Sequence, residues 1–148
     1  MYNDTVTVFN RYVDSFGNTI WHPHVISEAN LIVDKSVIAS KYGSQSNDNA
    51  VLNIKYSYLE GAIIVGNKQY FFPKEWEKQT NDRLSETITF NSGNEFDFFI
   101  LGNYFSQDPI FDEYGTFFDE MQKEYDNVFV ITSVSKYDVI PHFEILGR

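Results

Sequence analysis

His22 and His24 are the first residues whose type and spacing suggest chemistry. At i and i+2 of an extended strand both imidazoles leave one face, a spacing some metal sites use, and Glu28 or His142 would complete a ligand set. No HExxH motif or calcium loop accompanies them, so the plainer reading is a pair of partly buried polar side chains beside Pro23. The pairs Asp112-Glu113 and Asp119-Glu120 have the composition of a proton-transfer dyad. Adjacent helical residues diverge, however, and a charged helix face is ordinarily solvated. Ser and Thr are plentiful without the GxSxG context of a nucleophile. Gly61, Gly66, Gly93 and Gly102 occupy turn-like positions and form no GxGxxG or phosphate loop. The lack of cysteine excludes a disulfide framework, a thiolate metal site and a cysteine nucleophile together. No catalytic, cofactor-binding or metal-ligating set emerges, and a non-enzymatic protein without a cofactor is expected.

The elements that would position such residues are mostly strands. The 148 residues fit one domain, and 43% hydrophobic content with 14 Phe and 10 Tyr favours an all-β or β-rich fold. Asp4 to Val13 reads as a first strand and Asp14 to Asn18 as its turn. Thr19 to Ile26 is a second strand, with Ile20, His22, His24 and Ile26 on one face and Trp21 and Val25 on the other. Pro23 removes a donor and marks this strand as edge or bulged. Lys41 to Asn49, KYGSQSNDN, has the composition of an exposed, mobile loop. Val51 to Tyr58 alternates, with Leu52, Ile54, Tyr56 and Tyr58 toward a core. With Ala62 to Val65 and Gln69 to Phe72 it makes a meander that stops at Pro73. Pro73 to Trp76 fits the first turn of a short helix, and Leu84 to Phe90 alternates as a strand. Val128 to Val134 and Ile140 to Leu146 form a last antiparallel pair around Ser135 to Asp138, with Pro141 marking an edge or bulge.

Charge is concentrated in one stretch. Between Glu95 and Asp126 stand Glu95, Asp97, Asp108, Asp112, Glu113, Asp119, Glu120, Glu124 and Asp126 against Lys123 alone, most of the net charge of −10. The stretch is also dense in Phe and Tyr. It therefore predicts a folded acidic aromatic insertion at about residues 95–126 rather than a disordered tail. Pro109 divides it. Before it, Phe96, Phe98, Phe99, Ile100 and Leu101 fit either one helical turn capped by Asn94 or a short buried strand. After it, Tyr114, Phe117, Phe118, Met121 and Tyr125 recur at helical spacing and predict one amphipathic helix over about Glu113 to Tyr125. Charge of this sign repels phosphate and argues against nucleic-acid binding by backbone neutralisation. The aromatic content exceeds what a small core takes in, which points to an interface with another chain, most economically a second copy. The opening MYNDTVTVFN lacks signal-peptide character and no apolar run of about 18 residues occurs, so a soluble cytoplasmic product without membrane contact is expected.

Thr89 to Tyr104 (TFNSGNEFDFFILGNY) and Tyr125 to Arg148, with VTVFNRY (Val6 to Tyr12) and FFPKEW (Phe71 to Trp76), resemble small proteins of tailed phages and prophages of Gram-positive bacteria. These are similar to minor capsid or head-tail connector components, and ITSV followed by HFEI looks like the last hairpin of the head-completion, or stopper, family. The likeness spreads over most of the chain, and its motifs are structural rather than catalytic. It implies a mainly β fold, a small β-barrel or sandwich with a long loop and one inserted helix. It also implies assembly as a ring of six or twelve copies in the virion neck, touching neighbouring connector, portal or tail proteins. The acidic insertion departs from that family. A ring through which double-stranded DNA passes needs a wall that does not bind phosphate, because a few cationic contacts per subunit, multiplied round a ring, would trap the duplex. On this reading Glu113, Asp119, Glu120 and Glu124 line a channel or its rim. Tyr114, Phe117, Phe118 and Met121 pack the helix on the barrel or a neighbouring subunit. The loop holding Lys41, Tyr42, Gly43 and Asp48 docks on a ring above or below. The alternative with the same charge and size is a phage-encoded acidic DNA mimic that inhibits a host nuclease.

Overall fold

Val, Thr, Phe and Tyr dominate the two N-terminal segments, and these pair as the longest hairpin of the fold: β1 (Asp4–Val13) and β2 (Thr19–Ile32). A computed structural model describes residues 2–43 and 47–148. After the hairpin come α1 (Lys35–Tyr42), β3 (Ala50–Lys55), β4 (Ser57–Leu59), β5 (Ala62–Val65), β6 (Lys68–Tyr70), α2 (Pro73–Trp76), α3 (Asn81–Glu86) and β7 (Thr87–Ile88). The chain ends with β8 (Phe98–Leu101), β9 (Ile110–Asp112), α4 (Phe117–Glu124), β10 (Val128–Tyr137) and β11 (His142–Gly147).

The fold is mainly β, and its larger sheet curls nearly into a ring, an arrangement compatible with a barrel or sandwich. Starting from β1, antiparallel pairing runs through β8, β10, β11, β3 and β2 and returns to β1. Strand β9 adds to β2 at Thr19–Trp21. The change of partner along β2 falls beside Glu28, which takes the left-handed φ of +59°. Pro23 sits where the edge of β2 away from β1 carries neither β9 nor β3, so a missing donor is tolerated there. A smaller sheet, in the order β4-β5-β6-β7, packs on the inner face.

Two cores share the strands. The inner one joins both sheets through Val8, Ile26, Leu52, Ile54, Tyr70, Phe90, Phe99, Phe129 and Phe143. The outer one lies on the opposite face, where Phe9, Trp21, Phe98 and Ile100 are covered by Phe117 and Met121 of α4. This explains why residues 96–101 have no readable period: β8 is buried on both faces, Phe99 inward and Phe98 and Ile100 outward.

Several boundaries differ from those expected. Leu84 to Phe90 is not one strand but α3 followed by the two residues of β7, since Leu84 and Ile88 satisfy a four-residue period as well as a two-residue one. The expected loop at Lys41 to Asn49 begins inside α1, capped by Asp34, whose carboxylate accepts from the Ser36 and Val37 amides. Only Ile38 of that helix is buried, so it carries no apolar stripe to betray it. Ser44, Gln45 and Ser46 of the expected loop lie outside the described residues. The helix expected from Glu113 begins at Phe117, because Gly115 holds a φ of +68° that ends any helix reaching back through it. Strand β10 continues to Tyr137, which moves the last turn to residues 138–141.

Candidate functional surface

The acidic stretch is positioned by one carboxylate. Asp112 closes β9 and accepts the Trp21 indole N–H at 3.0 Å, the Thr116 amide at 2.9 Å and the Phe117 amide at 3.2 Å. It thereby ties the first turn of α4 to β2, doing what the side chain at the cap position, Thr116, does not do. From that anchor Phe117 and Met121 enter the outer core. Phe118 is half-buried against Phe96 and Phe98, with ring centroids 5.1 and 4.9 Å away. Tyr114 stands on the preceding turn instead and is 81% exposed.

Glu113, Asp119, Glu120 and Glu124 are all exposed, as are Asp108 and Asp126. Glu120 accepts a hydrogen bond from the Thr116 hydroxyl at 3.3 Å. Burial raises the pKa of the Tyr104 phenol above its ordinary value, and Tyr125, Glu124 and Glu120 add to the effect, so these acids lie close enough for their fields to reach it. Three other acids of the stretch have structural partners. Glu95 pairs with Arg11 at 3.3 Å, Asp112 anchors the helix, and Asp97 is buried at 1% exposure. Asp97 accepts from the Asn10 amide group at 2.9 Å, the Arg11 backbone N–H at 2.8 Å and the Asn91 backbone N–H at 2.9 Å. Burial pushes its carboxyl up to about 8 against the pull of those donors.

The other expected site residues are held in place. Lys41 and Tyr42 close α1, and both bind Glu144 of β11, Lys41 at 3.0 Å and Tyr42 through its hydroxyl. Gly43 follows at a φ of +99°. Asp48 accepts from the Thr132 hydroxyl at 2.7 Å. The end of α1 and Asp48 thus fasten onto β11 and β10. His22 and His24 are buried, and among the described residues no group of three or more His, Asp or Glu is arranged to hold a metal ion. Among the described residues no helix is long and apolar enough to cross a membrane.

Two features went unread in the sequence. Lys136 donates to Asp138 at 2.6 Å and to the Tyr58 hydroxyl at 3.2 Å, while the Tyr56 hydroxyl donates to Asp138 and to the Tyr137 carbonyl. This joins the β4–β5 and β10–β11 hairpins, whose tips expose Leu59, Val139 and Ile140. Bare aromatic rings also stand at Phe16, Phe105 and Phe111. The excess of aromatics over core capacity was the available signal, but composition does not say which rings stay outside.

A family model matches residues 1–148 in full. The chain belongs to that family, DUF6751, a family of unknown function. No curated protein and no solved structure matches it.

Proposed function

We propose that this member of DUF6751 is a structural protein of a tailed-phage neck. It forms a ring between portal or adaptor and tail, completes the head, and lets double-stranded DNA pass an acidic wall. The observation that carries this reading is the two-sidedness of α4. Its aromatic face is buried against the outside of the curled sheet, while Glu113, Asp119, Glu120 and Glu124 at and around it face solvent. A carboxylate surface fixed to a rigid sheet repels the duplex without binding it, and repetition round a ring multiplies the effect. The sequence resemblance to connector proteins supports the same reading. So do the exposed rings of Phe16, Phe105, Phe111 and Tyr114, which supply apolar surface for contact with a second copy or a neighbouring ring. The protein is made in the bacterial cytoplasm and ends in the virion.

Mass photometry of the purified chain over a concentration series tests the ring. Discrete species at whole-number multiples of the 17.3 kDa chain, closing at one copy number, are expected. A particle that stays monomeric or dimeric and captures a host nuclease would replace the ring with the DNA mimic.

A further inference from the structure

We propose that residues 73–86, the crossover from β6 to β7 that holds α2 and α3, form an acid-released flap kept shut by the neutral rings of His22 and His24. Both rings leave the inner face of β2 and are 3% and 1% exposed. The Nδ1 atom of His22 lies 3.0 Å from the Ser85 hydroxyl of α3, and the ring stands edge-on to Trp76 of α2 at 5.8 Å. The Nδ1 atom of His24 lies 2.7 Å from Nζ of Lys68 on β6, which also donates to the Ser85 carbonyl at 3.3 Å. An ammonium has no lone pair to offer, so His24 accepts at Nδ1 and carries its proton on Nε2. The Nε2 atoms of both rings are buried and have no hydrogen-bond partner among the described residues. A proton added to either ring therefore creates a buried cation, relieved at most by the Ser85 hydroxyl oxygen at Nδ1 of His22. On His24 it also sets an N–H against the Lys68 ammonium.

The groups that face the rings are Tyr12 from β1, Lys68 from β6, Trp76 from α2 and Ser85 from α3. Asn10 is the cross-strand neighbour of His22, and the carboxyl group behind it, Asp97, is engaged by Asn10 and two backbone donors and is held toward its neutral form by burial. Charge acts on the rings in one direction only. Burial, then the field of Lys68, holds His22 down to about 4, and the same two causes with His22 added hold His24 well below its ordinary range. In an open flap both rings titrate near about 6.5. Closure is thus fully favoured above that pH and weakens as pH falls toward 4.

The crossover is the element that yields. Helices α2 and α3 have four and six residues and no side-chain cap, and β7 is a two-residue strand. The β1–β2 hairpin that carries the histidines is paired without a break from Val6–Ile26 to its turn at Val13–Thr19. Local opening costs less than unfolding the ring of strands.

Hydrogen exchange of the full chain at pH 7 and pH 5, corrected for intrinsic rates, tests this. Amides of residues 73–88 are expected to gain exchange by up to about tenfold per pH unit for each ring that protonates, while β1 and β10 stay protected. In His22→Gln the gain should shrink toward that of His24 alone. Imidazole ¹⁵N spectra of the unaltered protein give the second readout: the Nε2–H tautomer of His24 seen at pH 7 should persist below about pH 6.5, where exchange already rises, and be lost only at lower pH. Acid exchange that rises equally across all strands would overturn the flap. So would rings that titrate near 6.5 with no change in residues 73–88.

Discussion

Asp97 fastens the start of the acidic stretch to β1 by hydrogen bonds with Asn10 and Arg11. Its two oxygens receive three donors, Asn10 and Asn91 at Oδ2 and the Arg11 N–H at Oδ1. Asp97→Asn keeps the shape but turns an NH₂ group toward at least one of those donors. A loss of roughly 1–3 kcal/mol is expected by urea unfolding, the cost of orphaning buried donors. The pH dependence has a definite sign. The folded carboxyl lies above its unfolded value, so its contribution is fully present below about pH 4 and is lost as pH rises through about 8. The advantage of the natural chain over Asp97→Asn should accordingly shrink across that interval. His22 and His24 act with the opposite sign in the same interval, so a global unfolding curve blends two opposed contributions that the Asn variant separates. None of this was legible in the sequence. Asp97 reads as one acid among nine, because its partners Asn10 and Arg11 lie more than eighty positions away.

At the scale of elements, α4 is an outer cover rather than a free projection. Phe117 packs, with tilted rings, into a cluster with Phe9, Phe98 and Trp21 at centroid distances of 5.6, 6.1 and 6.2 Å. Phe117→Ala should cost about 3–5 kcal/mol by thermal or urea unfolding, as buried aromatic truncations do, with early loss of exchange protection in α4. A change below about 1 kcal/mol would mean that the helix is dispensable to the fold. Strand β1 and the start of β2 were readable from their Val, Thr, Phe and Tyr content and a partial alternation, although both are buried on two faces at mid-strand. Helices α1 and α3 were not. The first buries one residue, and the second shares its apolar positions with a strand pattern. In the acidic stretch the buried roles of Phe117 and Met121 followed from helical spacing, whereas Tyr114 was drawn into the same stripe although Gly115 separates it from the helix. Spacing reports which residues would share a face if the helix were continuous, and a left-handed glycine removes that condition.

At the scale of the whole molecule, most of the charge imbalance resolves into a few structural carboxylates and a solvent-facing remainder around α4. Glu120→Lys with Glu124→Lys changes charge where neither side chain is buried, so folding and assembly should be kept. If these residues face the lumen, DNA passage slows and infectivity falls; unchanged infectivity would remove them from the channel wall. The most direct measurement follows particles assembled without this chain, imaged by negative stain and assayed for retained DNA. The expected result is heads that fill, leak their DNA and bear no tails. Filled, tailed and infectious particles lacking the chain would contradict the proposed role in the neck.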